Sequence, residues 1–497
     1  MSTPPPVAPQ ATISQGALRG TTEGGVAVFR NVPYAAPPVG ALRFQPPAAA
    51  AAWVGERNAA EHGAIAPQPP SRLRAAMGDF SVRQAEDCLS LTIWTPAPDQ
   101  ARRPVLLWLH GGAFMSGAGS LPWYSGATMA ARGDMVVVGV NYRLGALGFM
   151  HLPGVSPPNL GLLDQLQALE WVHREIAAFG GDPDNITING QSAGGFSVLA
   201  MLALPQARKG FRRAIAQSAP FGRVMRSPAA AAVHALRLQE LLGISHPVDW
   251  LRISSAEIIA AQVKLTIATA EFANPVPPFG PVADGRLFGD DLLPAAIAGA
   301  AERDLMLGHT RDEMAAFFAI DERVRDAPAS AVDGRFQAHF GAAAAAAKAE
   351  YGRRARSAST MHVLGELTGD ALFAGGCFAF AERIAALGRP AHAYRFDWAA
   401  PGNRFGACHC IELPFVFNNF AQWSAPMLDG GDADAMAHLA QQTQDAWIAF
   451  ARNGDPSHPG LPAWPRFSAA TREVMLLDTP AGVRSDPAGR ARWRYWP

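Results

Sequence analysis

A serine set among glycines is the side chain of this sequence with the clearest capacity for chemistry. Ser192 stands in the run Gly190-Gln-Ser-Ala-Gly-Gly195, after a β-like run over 185–189 and before a helix-like run over 196–204. A serine at such a strand-to-helix corner is held in the open, at the positive N-terminus of the following helix. Its neighbours must be small because the tight turn strains the backbone. The pattern predicts that Ser192 attacks a carbonyl group as a nucleophile.

A glycine-rich loop upstream could supply the second part of this chemistry. The run His110-Gly-Gly-Ala-Phe114 follows an apolar run over 104–109 that reads as a buried parallel strand. Small side chains leave backbone N–H groups uncovered, so these can point at the oxygen that gains charge during attack. An isolated run of this kind would be an ordinary turn. Together with Ser192 it predicts an oxyanion hole.

The elements that must position these segments alternate along the chain. Strand-like and helix-like runs follow one another from residue 104, which predicts a mostly parallel sheet wrapped by helices. With the serine corner, this order indicates an α/β fold of the α/β-hydrolase type, with a large central mostly parallel mixed sheet, flanking helices and helical cap insertions. We predict strands over 104–109, 135–141, 185–189, 212–218, 305–308 and 393–397, and helices over 161–179, 196–204 and 432–453.

The chain is expected to form one catalytic domain over residues 13–497. Residues 1–12, rich in proline, are expected to be disordered. Helical runs broken by prolines predict a cap-like or lid-like helical insertion over about 223–300, and a second one is expected over 320–390.

Composition argues against several classes of function. The 497 residues have a formal net charge of zero and no basic patch, so nucleic acid is not an expected partner. No apolar stretch approaches the roughly 18–20 residues that span a bilayer, and the N-terminus does not read as a secretory signal. We expect a cytoplasmic protein without membrane association, acting as a monomer, with a dimer as the alternative.

The cysteines give no sign of a metal site. Four are present, which is sparse for a secreted protein, and they lack paired zinc spacing. The triplet Cys408-His409-Cys410 places its cysteines at i and i+2 with no second cluster nearby, which makes a poor tetrahedral site. We expect no metal and no cofactor.

Attack by a serine on an ester also requires a base and a carboxylate. The base takes the hydroxyl proton, and the carboxylate fixes the tautomer of the base and stabilises its cation. In the predicted fold the order along the chain is serine, acid, histidine. Thirteen histidines and many carboxylates are present, and periodicity does not choose among them.

Longer motifs make that choice possible through a resemblance. They are Phe29-Arg-Asn-Val-Pro-Tyr-Ala-Ala-Pro-Pro-Val-Gly40 with Arg43-Phe44, Glu86-Asp-Cys-Leu89, Asn141-Tyr-Arg-Leu-Gly145, Asn159-Leu-Gly-Leu-Leu-Asp-Gln165 and Phe179-Gly-Gly-Asp-Pro183. From about Gly16 to its C-terminus the chain resembles the type-B carboxylesterase/lipase family of α/β-hydrolases, which includes liver carboxylesterases and cholinesterases. It is closest in character to the bacterial p-nitrobenzyl esterases of that family.

The resemblance implies which residues complete the site. The acid falls at Glu313, in Thr310-Arg-Asp-Glu313, rather than at the neighbouring Asp312, and the base falls at His409. The implied oxyanion donors are the backbone N–H groups of Gly112, Ala113 and Ala193. The implied supporting residues are Gly111, Gln191 and Ser218. Two ion pairs that pin loops, and are not catalytic, are implied for Arg43 with Glu86 and Arg143 with Asp164.

Departures from the family pattern narrow the expected substrates. Ala66 stands where the family has the half-cystine partner of Cys88, so that disulfide cannot form, which fits a reducing cytoplasm. The loop between these residues lacks the Trp that binds quaternary ammonium groups in cholinesterases by cation–π attraction. Gln191 replaces a Glu beside the nucleophile. We therefore expect poor selectivity for choline esters.

A proline-rich segment is expected to widen the substrate pocket. Smaller, stiff residues stand where cholinesterases carry aromatic ones in the acyl pocket, which suggests room for bulky or aromatic acyl groups. The expected pocket residues are Phe114, Pro275, Pro277, Phe279 and Phe317.

These observations predict a serine carboxylesterase that cleaves small to medium neutral esters into acid and alcohol through an acyl-enzyme on Ser192. Its expected partner is a small-molecule ester. One alternative is an amidase or carbamate hydrolase that uses the same three side chains. The other is a non-catalytic binding protein like the neuroligins, whose members typically lose the nucleophile that this chain retains.

Overall fold

One large β-sheet forms the centre of the protein. The computed structural model describes residues 8–357, 359–487 and 489. The strands of this part of the chain are β1 (Gln10–Ile13), β2 (Gly16–Arg19), β3 (Thr21–Glu23), β4 (Val26–Pro33), β5 (Glu56–Asn58), β6 (Ser90–Thr95), β7 (Arg103–Leu109), β8 (Val136–Val140), β9 (Gly181–Gln191), β10 (Arg213–Gln217), β11 (Asp304–Thr310), β12 (His392–Phe396), β13 (Glu473–Leu477) and β14 (Gly482–Ser485).

Eleven of these strands form the main sheet, in the order β14-β13-β12-β11-β10-β9-β7-β8-β6-β4-β3. Neighbours from β13 through to β8 pair in parallel. The outer pairs at both ends are antiparallel. Strands β1, β2 and β5 form a separate three-stranded sheet. The predicted large, mostly parallel mixed sheet is confirmed.

Strands β7 and β8 in the middle of the sheet are almost continuously apolar because both faces of the sheet are covered. In β7, Val105 and Leu107 belong to the hydrophobic core on one face, whereas Leu106 and Trp108 belong to the core on the other. Alternate side chains of a strand point to opposite faces. The continuous apolar run over 104–109 therefore supplies two cores at once.

Helices cover both faces of this sheet. They are α1 (Arg74–Met77), α2 (Ala127–Gly133), α3 (Gly145–Phe149), α4 (Leu160–Glu175), α5 (Ala193–Ala203), α6 (Pro228–Leu242), α7 (Ser255–Ala268), α8 (Leu292–Ala300), α9 (Ala315–Ala319), α10 (Glu322–Arg325), α11 (Ala329–Phe340), α12 (Ala344–Arg354), α13 (Thr360–Gly369), α14 (Gly375–Ala386), α15 (Leu413–Phe417) and α16 (Ala433–Asn453). Helix α5 is buried along its whole length and packs against β9, β10 and α8.

Element boundaries differ from the sequence expectation in ways that have physical reasons. The helix predicted over 161–179 ends at Glu175, and a 3₁₀ turn over Ile176–Phe179 leads to Gly180, whose φ of 77° favours glycine. Strand β9 is longer than the predicted 185–189 and continues to Gln191, directly beside Ser192. Residues 10–12 belong to β1, so the expectation of disorder is wrong for them, while residues 1–7 lie outside the described part.

The two expected cap regions differ in how they pack. Helix α8, in the first region, packs against α5 and so belongs to the layer that flanks the sheet. Much of the second region packs in a separate hydrophobic core, which includes Phe336, Tyr351 and Leu364, whereas α14 packs in the main core. A lid function for either region stays a prediction.

One helical run is long and apolar enough, by length and composition alone, to cross a membrane. It covers Thr360–Ala386 and joins α13 to α14 through a π-helical turn over Asp370–Ala374. Most of the run is buried inside the fold, as is the core helix of a globular protein.

Both loop-pinning ion pairs that the resemblance implied are present. Arg143 binds Asp164 through two hydrogen bonds of 2.6 and 2.8 Å, and both side chains are buried. Arg43 pairs with Glu86 and also donates to two backbone carbonyls. Cys88 is buried and free, as expected from Ala66.

Candidate active site

Ser192 lies at the sharp turn between β9 and α5. Its φ of 57° and ψ of −121° fall in a sparsely populated region for a residue with a side chain. The surrounding structure holds this strain: the Ser192 N–H donates to the Gln217 carbonyl at 2.9 Å, and the Ser192 carbonyl accepts from Phe196 N–H at 2.9 Å. The side chain is half-buried and lines a cavity.

Glycines allow the backbone to make this turn. A Cβ at Gly190 would overlap the carbonyl oxygen of Gly194, and a Cβ at Gly194 would overlap the carbonyl oxygen of Leu109. The strand end, the helix start and the neighbouring strand β7 therefore approach more closely than any side chain permits.

The structure brings His409 and Glu313 into contact with each other. His409 lies on the segment between β12 and α15, and Glu313 follows β11. The Nδ1 atom of His409 forms a short hydrogen bond with Oε2 of Glu313, and both side chains are almost fully buried. His409 lines the same cavity as Ser192.

Surrounding donors favour the ionised form of Glu313. Burial alone would raise the pKa of its carboxyl group, but His409 and then Ser218 outweigh burial and hold it below its usual value. The Thr310 N–H also donates to Oε1 at 2.9 Å. Ser218, which follows β10, contributes to the lowered pKa of Glu313. Its hydroxyl makes no well-formed hydrogen bond within the described part of the chain.

Asp312, the rival carboxylate, has a different set of partners. Its Oδ2 accepts from the Ala407 N–H at 2.8 Å and pairs with Arg311 at 3.1 Å. Asp312 therefore holds the segment that carries His409, while Glu313 contacts the imidazole itself.

The loop after β7 leaves backbone donors without a hydrogen-bond partner in the described part of the chain. Gly112, Ala113 and Phe114 all have positive φ, of 113°, 58° and 62°. Within the described ranges, the N–H groups of Gly112, Ala113 and Ala193 make no hydrogen bond to another residue. Gly112 and Ala113 line the cavity with Ser192. These donors are free to bind an oxyanion.

His110 fixes this loop from within as a neutral group. Burial lowers its pKa to about 4. Its Nδ1 lies 2.8 Å from the Gly111 carbonyl, its ring stacks on Tyr142 at 4.3 Å, and the Tyr142 hydroxyl donates to the His110 carbonyl at 2.7 Å.

The expected supporting residues lie around the same turn. A Cβ at Gly111 would come within 2.7 Å of the Gln191 Oε1 and 3.0 Å of the Ser192 Cβ, so only glycine fits there. The side-chain nitrogen of Gln191 lies 3.3 Å from Nε2 of His409. Gln191 therefore contacts the ring nitrogen that faces away from Glu313.

The cavity over Ser192 has about 550 Å³ of free space, part of which is open to solvent. Of the five expected pocket residues, Phe317 lines it. Phe114 is buried against Phe149 and Phe196, and Phe279 is buried in the main core. Pro275 lines two neighbouring cavities, and the Pro277 carbonyl accepts a hydrogen bond from Arg226.

Other residues form most of the apolar wall. Sequence reasoning missed them because they come from loops and short turns with no shared spacing. They are Leu73, Met77, Phe80, Leu121, Trp123 and Tyr124.

Glu412 is a second buried carboxyl group near the site that sequence reasoning missed. Burial, with Glu313 as a further cause, raises its pKa to about 8. It is therefore neutral at pH 7, and its oxygens make no hydrogen bond of full geometry with the described residues. Across residues 8–357, 359–487 and 489, no group of three or more His, Cys, Asp or Glu side chains could hold a metal ion.

Comparisons with known proteins agree with this architecture. The model of the carboxylesterase family matches residues 7–496. The chain is 39% identical over 489 residues to phenmedipham hydrolase of Pseudarthrobacter oxydans, covering 97% of each chain. It is 38% identical over 495 residues to para-nitrobenzyl esterase of Bacillus subtilis strain 168, covering 98% of each.

Solved structures show the same similarity. Carboxylesterase EST55 of Geobacillus stearothermophilus at pH 6.2 superposes with a TM-score of 0.88 at 36% identity, over 98% of this chain and 100% of that one. A PNB esterase superposes with a TM-score of 0.87 at 35% identity, over 99% and 100% of the two chains.

Proposed function

The chain belongs to the carboxylesterase family and is a carboxylic ester hydrolase, and from this premise we propose that it cleaves esters through an acyl-enzyme on Ser192. The non-catalytic alternative has no support from these relatives. The observation that carries the proposal is the buried hydrogen bond between His409 and Glu313, with His409 and Ser192 in the wall of one cavity.

In the first half-reaction the Ser192 oxygen attacks the ester carbonyl carbon. His409 takes the hydroxyl proton on Nε2, and Glu313 holds the resulting imidazolium through Nδ1–H. The carbonyl oxygen becomes an oxyanion, which the N–H groups of Gly112, Ala113 and Ala193 bind. His409 then gives its proton to the departing alcohol as the carbon–oxygen bond breaks.

In the second half-reaction a water molecule replaces the alcohol. His409 takes a proton from this water as its oxygen attacks the acyl carbon, and the same N–H groups bind the new oxyanion. His409 returns the proton to the Ser192 oxygen as the acid leaves. The strained turn and the empty donors are present before substrate binds, so little reorganisation is needed.

The apolar wall supports substrates with a bulky or aromatic group. Phe80, Trp123, Tyr124 and Phe317 all line the cavity, and aromatic rings stack favourably on one another. The expectation of room for such groups thus rests on these rings and not on the proline segment. Comparing hydrolysis rates of benzoate esters and phenyl esters tests whether the aromatic ring of the substrate belongs to its acyl or its alcohol part.

The four cysteines bear on the compartment. All four are buried and free, which supports a reducing environment and so the expected cytoplasmic location. Localisation of the tagged full-length protein tests this point.

Covalent labelling tests the proposed nucleophile. We expect one equivalent of an organophosphate to inactivate the enzyme and to be recovered on the peptide that contains Ser192. Ser192→Ala should abolish labelling and lower kcat for 4-nitrophenyl acetate by about 10⁴-fold or more. Ser468→Ala, a half-buried serine before β13 whose neighbours do not line the cavity, is the matched control and should retain labelling.

Label on another residue, or turnover retained in Ser192→Ala, would contradict the proposal. Matched esters, amides and carbamates of one aromatic leaving group decide between the esterase and its amidase or carbamate alternative. We expect the ester to be cleaved fastest, because an alcohol leaves more readily than an amine.

A further inference from the structure

An arginine lies in the wall of the cavity that contains Ser192. Arg72, on the loop between residues 66 and 88, lines this cavity and also the larger outer cavity beside it. Its Nη1 donates to the Pro275 carbonyl at 2.6 Å. Of its five N–H donors, this is the single one that bonds to a residue within the described ranges. No described carboxylate pairs with it.

Two further arginines lie on the far side of the Pro275 segment. The guanidinium carbon of Arg223 lies 5.4 Å from the centre of the Phe114 ring. Phe114 directly follows Ala113 in the loop after β7. Arg226 donates to the Pro277 carbonyl at 3.0 Å. Neither makes an ion pair with a described residue. Burial, then the charges of Arg226 and Arg72, lowers the pKa of Arg223 to about 9, so both of these cations repel Arg223.

These three arginines are half-buried and lack the carboxylate partner that the fully buried arginines have. Arg43 and Arg143 each meet a carboxylate, with Glu86 and Asp164. A cation that is partly withdrawn from water without a counter-charge is unfavourable unless another group compensates for its lost hydration. Burial lowers the pKa of Arg72 to about 10, and no neighbouring carboxylate counteracts this.

The acidic residues of the outer cavity do not neutralise Arg72. Asp321 and Glu322 line that cavity with it. However, Asp321 pairs with Arg323 at 2.7 Å, and Glu322 lies 3.7 Å from Arg325. A purely structural role for Arg72 as a tie to Pro275 would need one neutral donor, whereas a guanidinium brings a charge and four further donors.

We propose that Arg72 is a specificity-determining residue that binds a carboxylate carried by the substrate, so that the enzyme prefers esters that bear an anionic group besides the scissile ester. The inference rests on the proposed function, because it concerns the cavity in which Ser192 acts. Arg223 and Arg226 add to the positive potential behind the same wall. The same charge disfavours choline esters, in addition to the missing Trp and Gln191.

Pairs of substrates that differ only in a carboxylate or a neutral carboxamide test this proposal. The alcohol-side pair is 4-carboxyphenyl acetate and 4-carbamoylphenyl acetate, and the acyl-side pair is monomethyl terephthalate and methyl 4-carbamoylbenzoate. We expect the wild type to have the higher kcat/KM for the carboxylate in at least one pair. The pair that responds identifies the side of Ser192 on which Arg72 binds.

Three variants separate recognition from structure. Arg72→Gln keeps an N–H donor for Pro275 and should lower the carboxylate-to-carboxamide ratio of kcat/KM by at least about tenfold. Arg72→Lys keeps the charge and should retain most of the ratio. Arg74→Gln, two residues away on an exposed side chain of the outer cavity, is the matched control and should leave the ratio within about twofold. Thermal midpoints report on folding.

The proposal is overturned if Arg72→Gln leaves both ratios unchanged, or if Arg74→Gln lowers them equally. If Arg72→Gln does not fold, the wild type provides the test: benzoate should inhibit 4-carbamoylphenyl acetate hydrolysis at least about tenfold more strongly than benzamide, and equal inhibition refutes the proposal. Loss of all hydrolysis in Ser192→Ala remains the separate test of the proposed function.

Discussion

At the scale of residues, two adjacent carboxylates illustrate how contact decides role. Asp312 and Glu313 are chemically alike, and the sequence alone offers both as the acid. The backbone turns between them, so that Asp312 accepts from Ala407 N–H while Glu313 meets the His409 ring. The resemblance favoured Glu313. No local pattern could have done so, because the contact joins segments from two different strands.

Neutralising Glu313 should cost far more activity than neutralising Asp312. Glu313→Gln keeps the volume but removes the charge that stabilises imidazolium, and its amide can favour the wrong tautomer of His409. We expect kcat to fall by about 10³–10⁴-fold. Asp312→Asn weakens the support of the His409 segment and should cost less than about tenfold. Steady-state kinetics with 4-nitrophenyl acetate measures both, and equal losses would count against the assignment of Glu313.

At the scale of elements, the serine turn was well predicted because its requirements are local. Gly190 and Gly194 are needed for close backbone approach, and both belong to the sequence motif around Ser192. The wall of the cavity was predicted poorly. Phe80, Trp123 and Arg72 come from irregular segments whose side chains meet through the path of long loops. Such contacts leave no periodicity in a sequence.

The same glycine-to-alanine change should have opposite effects in two elements. At Gly190 the new methyl group would overlap the Gly194 carbonyl where β9 meets α5. We expect Gly190→Ala to lower the free energy of unfolding by about 1–3 kcal/mol or more and to lower kcat, because Ser192 is displaced. Gly334, exposed within α11, has open space around it.

Gly334→Ala is the control and should raise the free energy of unfolding by about 0.5–1 kcal/mol without affecting kcat, because alanine is the better helix former. Urea denaturation and kinetics of both variants provide the measurements. Destabilisation of similar size at both positions would show that close packing at Gly190 is not the cause.

At the scale of the whole molecule, packing around the sheet buries titratable groups of different kinds. His110 and His392 are buried, and burial lowers the pKa of each to about 4. Between this value and their usual pKa near 6.5, the unfolded chain binds more protons, so these histidines make stability rise with pH. The predicted strands 104–109 and 393–397 stop next to these two residues, and the sequence does not show which neighbours surround them.

Glu412 makes stability change with pH in the opposite direction, and over a wider pH range. Its folded pKa of about 8 lies above the usual 4.5, so between these values the folded protein holds a proton that the unfolded chain has released. Stability from this group is present below about pH 4.5 and is lost as pH rises toward 8, by up to about 1.4 kcal/mol per pH unit. The histidines and Glu412 therefore oppose one another between about pH 4.5 and 6.5.

Glu412→Gln isolates this contribution, because glutamine has the same shape and does not titrate. We expect the thermal midpoint of the variant, relative to wild type, to be higher at pH 8 than at pH 5. Glu170→Gln, on the exposed side of α4, is the control and should show a constant difference. A difference for Glu412→Gln that stays constant or falls with pH would mean that the carboxyl group is already ionised within the fold. Burial and the nearby charge of Glu313 would then not raise the pKa of Glu412.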